Sequence, residues 1–205
     1  MILILDYGLG NMGSLTNMFK RIGQEIVVSS NPNDVLESTK LVIPGVGAFD
    51  RAMNNINEID GLREALDVKA LKDKIPILGI CLGMQILTMK SEEGNLSGLG
   101  WVPAEAHKFP NKKNYKVPHM GWNKVIKKKK GHDLTKNLSN DSRYYFVHSY
   151  YVKVYEEKYS LLKSQHDLIF DSAICNENLF GVQFHPEKSH KFGMNILKNF
   201  SEIKC

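Results

Sequence analysis

The stretch Leu78-Gly79-Ile80-Cys81-Leu82-Gly83-Met84-Gln85 decides how this 205-residue chain is read. Ahead of it, the apolar run Ile75-Pro76-Ile77-Leu78 predicts a short buried strand. Behind it, Met84, Ile86, Leu87 and Met89 predict a helix. A strand, a cysteine with glycine two residues away on each side, and a helix together make a nucleophile elbow. The tight turn lifts the side chain above the sheet, and the small neighbours let backbone crowd it. A sulfur at a helix N-terminus meets free N–H groups and the positive end of the dipole, which favour a thiolate. The Leu82 N–H, one residue on, is placed to face an oxyanion. A buried cysteine packed between two glycines is the other reading of this spacing, and the rest of the chain has to separate the two.

Outward toward the N-terminus, strands and helices alternate. Residues 2–6 predict a buried strand and residues 12–22 an amphipathic helix with Met12, Leu15, Met18, Phe19 and Ile22 on one side, ended by Gly23. Strands follow at 25–29 and 41–43, with a short helix at 32–36 between them, and further helices at 48–57 and 61–73. This order predicts an α/β domain with a mostly parallel central sheet flanked by helices, its chemistry outside the carboxyl ends of the strands. Pro44-Gly45-Val46-Gly47-Ala48-Phe49 closes such a strand, as Cys81 does. Its Gly-x-Gly is too incomplete for a dinucleotide loop, but small residues with free N–H groups suit an oxyanion hole.

Toward the C-terminus the character changes at Trp101 to short strand-like pieces, among them Pro118-His119-Met120-Gly121-Trp122-Asn123, which predict a β-rich edge over residues 101–155. Residues 144–152, dense in aromatic and β-branched side chains, predict one strand. Two more are expected at 168–175 and 179–184, and a last helix at 190–200. No repeat or linker divides residues 1–205, so one domain is expected.

Composition narrows the function classes. Hydrophobic residues make up 42% and charged residues 24% of the chain, as in ordinary globular proteins. The three cysteines, Cys81, Cys175 and Cys205, form neither a disulfide framework nor a zinc or dithiol motif, so a reducing, cytoplasmic setting is expected. No metal or organic cofactor is implied, and no apolar run reaches membrane-spanning length. The net charge of +5 is diffuse apart from Lys127 to Lys130, a run without aromatic interleaving that reads as a solvated loop and not a nucleic-acid surface.

A thiolate nucleophile needs a base, and the base an orienting group. Gly181-Val182-Gln183-Phe184-His185-Pro186-Glu187 supplies both. His185 ends a strand, and Glu187, two residues on, shares its face if the extended chain continues. A carboxylate on the second ring nitrogen would fix the tautomer and stabilise the imidazolium. His119 and His148, in aromatic-rich segments, are either site-lining or satisfied core residues.

Together, the elbow and the Gly181–Glu187 stretch resemble the class I glutamine amidotransferase family. That resemblance implies a Cys–His–Glu triad hydrolysing glutamine to glutamate and ammonia, with Cys81 as nucleophile, His185 as acid and base, and Glu187 as orienting carboxylate. It implies an oxyanion hole from the Val46 and Leu82 N–H groups, and glutamine held by Gly47, Gln85, Glu93, Ser149 and Tyr150. Residues 44–49, 117–123 and 145–150, with Glu187-Lys188-Ser189, resemble members that form a heterodimer with a TIM-barrel cyclase subunit of histidine biosynthesis and pass it the ammonia. Asn11 and Lys188 match positions facing that partner. Gly13-Ser14, Gly100-Trp101 and His190-Lys191 depart from that pattern. They resemble paralogues that supply ammonia for amidating a surface or flagellar sugar. A non-catalytic scaffold for the barrel would not need all three triad residues, and a cysteine peptidase-like hydrolase would not turn over glutamine.

Overall fold

The all-apolar run Ile2–Leu5 forms β1, the strand next to the centre of the parallel half of the sheet and buried along its whole length, as expected where helices cover both faces. The computed structural model describes residues 1–110, 116–128, 131–139 and 141–204. Lys129 and Lys130 of the basic run, and Cys205, lie outside the described residues. In chain order there follow α1 (Met12–Arg21), β2 (Ile26–Ser29), α2 (Pro32–Glu37), β3 (Lys40–Gly45), α3 (Phe49–Glu58), α4 (Leu62–Asp67), β4 (Ile77–Cys81) and α5 (Leu82–Ile86). The second half comprises β5 (Lys90–Ser91), β6 (Ala104–Lys108), β7 (His119–Lys124), β8 (Ile126–Lys127), β9 (Arg143–His148), β10 (Tyr150–Val154), β11 (Ser160–His166), β12 (Leu168–Asn176), β13 (Leu179–Val182) and α6 (His190–Glu202).

The main sheet runs β2-β1-β3-β4-β13-β12-β10-β6-β5. From β2 to β13 all neighbours are parallel; from β13 outward the pairing is antiparallel until β5 joins β6 in parallel. Leu3, Leu5, Leu41 and Ile43 pack with α3, α4 and α5 on one face, while Ile4, Val42, Leu78 and Ile80 pack with α1, α6 and the β7–β9 pair on the other. α1 seats Leu15, Met18 and Phe19 there, each stabilising by about 1.5–3 kcal/mol.

Several expectations need correcting. The segment expected as one strand over 144–152 breaks at Ser149: β9 pairs with β7 in a separate two-stranded sheet, and β10 joins the main sheet. β11, which no sequence pattern announced, pairs with β12 and extends the β-rich edge past residue 155. The helix expected through Asp73 becomes a π-turn at Val68–Lys72, where Asp73 N donates to Val68 O. The elbow strand runs on to Cys81 itself, and the elbow helix stops at Ile86, well before Met89. Its end is set by tertiary contact: Leu99, Trp101 and Gly100 N–H groups take the carbonyls of Ile86, Leu87 and Thr88.

Candidate active site

Cys81 has φ +55 and ψ −109, a conformation that costs a non-glycine residue strain and that a nucleophile elbow stores. The elbow glycines show why it holds. A Cβ at Gly83 would lie 1.8 Å from Ile43 O, and one at Gly79 would lie 2.5 Å from Gly83 O, so α5 sits directly on the backbone of β3 and β4. Gly45 pairs in register with Cys81, which brings the Pro44–Gly47 loop beside the cysteine.

The sulfur is buried, yet it lines a cavity of about 310 Å³ together with Val46, Leu82, Gln85, Glu93 and His185. Gly47, Ser149, Tyr150 and Lys188 complete its wall, so every residue assigned by resemblance to catalysis, the oxyanion or glutamine touches this cavity, apart from Glu187. Glu187 stands behind His185. It does not reach the imidazole by strand alternation: β13 stops at Val182, and Pro186–Lys188 is a single 3₁₀ turn that swings the carboxylate back. His185 Nδ1 donates to Glu187 Oε1 at 2.7 Å. Burial opposes a charge on His185, but the hydrogen bonds and charges of Cys81 and Glu187 prevail and raise it to about 10.

The backbone of His185 is fixed on both sides. Its N–H donates to Tyr145 O at 2.9 Å, and its carbonyl accepts from Ser189 Oγ at 2.6 Å, which in turn accepts from Tyr145 N. Gln183, fully buried two residues earlier, donates to Cys81 Sγ at 3.7 Å and accepts from Gln85 Nε2 at 3.1 Å. Sequence reasoning passed over Gln183. Its signal was a lone polar side chain in an otherwise apolar buried strand, in phase with His185.

Glu93 Oε2 accepts from Phe49 N at 2.9 Å, and desolvation holds its carboxyl above the ordinary pKa of a glutamate despite that bond. Tyr150 O receives Gln85 Nε2 at 3.2 Å and His148 Nδ1 at 2.7 Å. His148 is one end of a relay. Asn123 Oδ1 accepts from Lys124 N, so its Nδ2 donates to His119 Nε2. His119 Nδ1–H must then donate to His148 Nε2, at 2.9 Å, and His148 Nδ1–H to Tyr150 O. The two histidines are both satisfied core residues and, at His148, cavity lining. Among the described residues no group of three His, Cys, Asp or Glu side chains is arranged to hold a metal.

A second, outer cavity of about 640 Å³ adjoins the first and shares Val46, His185 and Lys188 with it. Asn11, Gly8, Gly10 and Gly13 line it with Glu187. Asn11 also caps α1, accepting from Ser14 N. Lys188 therefore stands between both cavities, with its Nζ 5.8 Å from the Tyr145 ring centre.

The family profile for Glutamine amidotransferase class-I matches residues 3–203. The chain belongs to the class I glutamine amidotransferase family. It is 49% identical over 203 residues to "Imidazole glycerol phosphate synthase subunit HisH 2" of Methanococcus maripaludis, covering 98% of each chain. It is 48% identical over 206 residues to the HisH subunit of Bdellovibrio bacteriovorus, covering 99% of this chain and 100% of that one. In fold, this amidotransferase resembles the PurLQS structure from Thermotoga maritima, with a TM-score of 0.73 at 15% identity over 98% of this chain and 97% of the other.

Proposed function

We propose that this chain is the glutaminase subunit of imidazole glycerol phosphate synthase, a cytoplasmic, single-domain partner of a TIM-barrel cyclase subunit. It hydrolyses glutamine and passes the ammonia on for histidine biosynthesis. One observation carries the site assignment: the line from Cys81 through His185 to Glu187 at the wall of a cavity sized for an amino acid.

His185 Nε2 already holds the thiol proton, so Cys81 Sγ attacks the side-chain carbonyl carbon of glutamine as a thiolate. The Leu82 and Val46 N–H groups receive the oxyanion. His185 returns the proton to the amide nitrogen, the C–N bond breaks, and ammonia leaves a Cys81 thioester. His185 then takes a proton from water, whose oxygen attacks the thioester; glutamate departs, the sulfur leaves as thiolate and His185 keeps the proton. Glu187 holds Nδ1 protonated throughout and balances the imidazolium. Glu93 suits the α-ammonium, and Gly47, Gln85, Ser149 and Tyr150 the rest of the amino acid. Asn11 and Lys188, on the outer cavity, face the barrel.

The test is glutamate production by the chain with and without the cyclase subunit, wild type against Cys81→Ala. A second reading, ammonia supply for amidating a surface or flagellar sugar, draws on the departures in sequence. Gly13 lines the outer cavity, and His190 stacks flat on exposed Trp122, at 4° between planes. Turnover stimulated by a sugar-pathway barrel and not by the cyclase would favour it.

A further inference from the structure

Tyr7 lies in the loop between β1 and α1 and is 2% exposed. Its hydroxyl donates to Pro44 O at 2.6 Å, and its carbonyl accepts from Asn55 Nδ2 at 2.8 Å. A Cβ at Gly45 would lie 2.7 Å from that hydroxyl, 2.9 Å from Gly83 N and 2.9 Å from Leu82 Cβ. One point therefore gathers the phenol, the end of β3 and the first turn of the elbow helix. Burial first, and then the charge of nearby Cys81, push the phenol far above its ordinary value, so it stays a neutral donor.

The same loop touches the oxyanion segment at further places. A Cβ at Gly10 would come within 3.1 Å of the Pro44 ring, and one at Gly47 would lie 3.9 Å from Leu9 Cδ2. On its other side, Gly8, Gly10 and Asn11 line the outer cavity beside Val46. Pro44 and Gly45 are thus tied to a loop on the outer face. Val46, 45% exposed, and Gly47, at φ +109, keep the freedom to turn.

We infer that Tyr7 is a positioning residue for the oxyanion hole: its hydroxyl locks Pro44–Gly45 to the β1–α1 loop, so that displacement of this loop from the outer cavity is passed to the Val46 N–H. This rests on the glutaminase reading above. The hydroxyl touches no reacting atom. It acts through the direction in which one peptide N–H points.

The test is Tyr7→Phe in the complex with the ligand-loaded barrel subunit. An oxyanion donor out of place lowers kcat, here by about tenfold or more, and leaves KM for glutamine within about twofold. Alkylation of Cys81 by iodoacetamide passes through no oxyanion, so its rate should stay within about twofold of wild type. Loss of kcat together with equal loss of alkylation would mean a general collapse of the elbow and overturn the proposal, as would an unchanged kcat. Should Tyr7→Phe fail to fold, Asn55→Leu frees the Tyr7 carbonyl from α3 and should give the same pattern more weakly; an unchanged kcat there also overturns it. A wild-type complex that makes no glutamate refutes the glutaminase reading itself, and the tie with it.

Discussion

His185 Nδ1 and Glu187 Oε1 are 2.7 Å apart, and both side chains are only 4% exposed. Water therefore screens this pair little, and its charge balance governs both chemistry and stability. Cys81→Ala should abolish glutamate formation, since no other side chain on the cavity wall can form the thioester. His185→Ala should be nearly as severe, with losses of about 10²-fold or more. Glu187→Gln keeps an acceptor for Nδ1–H but removes the charge, so a smaller loss in kcat is expected. Appreciable glutamate from purified Cys81→Ala would sink the assignment.

The same pair sets a pH dependence. His185 is raised from 6.5 to about 10, so the folded state holds a proton that the unfolded state has released. Its stabilising effect is complete below about pH 6.5 and is lost as pH rises through about 10. The melting temperature of wild type should therefore fall between pH 7 and 10. In Glu187→Gln the fall should be shallower; parallel curves would show that the carboxylate does not hold this proton.

The buried histidine relay has the opposite sign. Burial, and then the charges of His119, His166 and His185, outweigh the Tyr150 carbonyl and lower His148 from 6.5 to about 3. Burial, with His166 adding to it, lowers His119 to about 4. Below pH 6.5 the unfolded chain binds protons that the folded chain refuses, so stability falls as pH falls. At pH 5 His148 alone should cost about 2 kcal/mol. His148→Gln should flatten the slope of stability between pH 7 and 5, and an unchanged slope would place the acid sensitivity elsewhere.

These two histidines mark where sequence reasoning stopped. Cys81, His185 and Glu187 were legible because each needs a particular element end, and glycine or proline marks those ends in the sequence. The relay was not, because only the pairing of β7 with β9 puts His119 opposite His148. Tyr7 was hidden for the same reason: nothing local says that its hydroxyl will meet Pro44, 37 residues on. The break at Ser149 and the early end of α5 depend on which distant backbone claims a carbonyl, and periodicity carries no record of that. The helix and strand order of the parallel half was legible because buried parallel strands are short apolar runs separated by amphipathic helices.

Packing at the elbow makes a prediction that needs no assay of chemistry. Gly83→Ala would drive a methyl into Ile43 O, where backbone on both sides blocks relief. A destabilisation of about 3 kcal/mol or more is expected, read by denaturant unfolding. A variant of wild-type stability would mean that α5 does not rest on β3.

Thiol mapping separates the cysteines. Cys81 opens onto a cavity, whereas Cys175 is buried in β12 and packed in the core facing α1 and α6. Brief iodoacetamide treatment should label Cys81 well before Cys175; the reverse order would contradict the placement of the elbow.

The last prediction concerns control by the partner. Free hydrolysis would waste glutamine, so turnover should wait for a loaded barrel, and Val46 is suited to the wait. Its neighbour Gly47 has φ +109, and Val46 borders both the catalytic and the outer cavity. One missing oxyanion donor costs on the order of 10²- to 10³-fold, about 2.7–4 kcal/mol, which is a large enough step for a switch. Addition of the ligand-loaded barrel should therefore raise kcat far more than it lowers KM for glutamine. Lys188 also borders both cavities, so Lys188→Ala should reduce both basal and stimulated turnover, the stimulated one more. Steady-state glutaminase assays with and without the barrel decide it: an isolated chain already at full turnover would refute the switch, and Cys81, His185 and Glu187 would keep their roles.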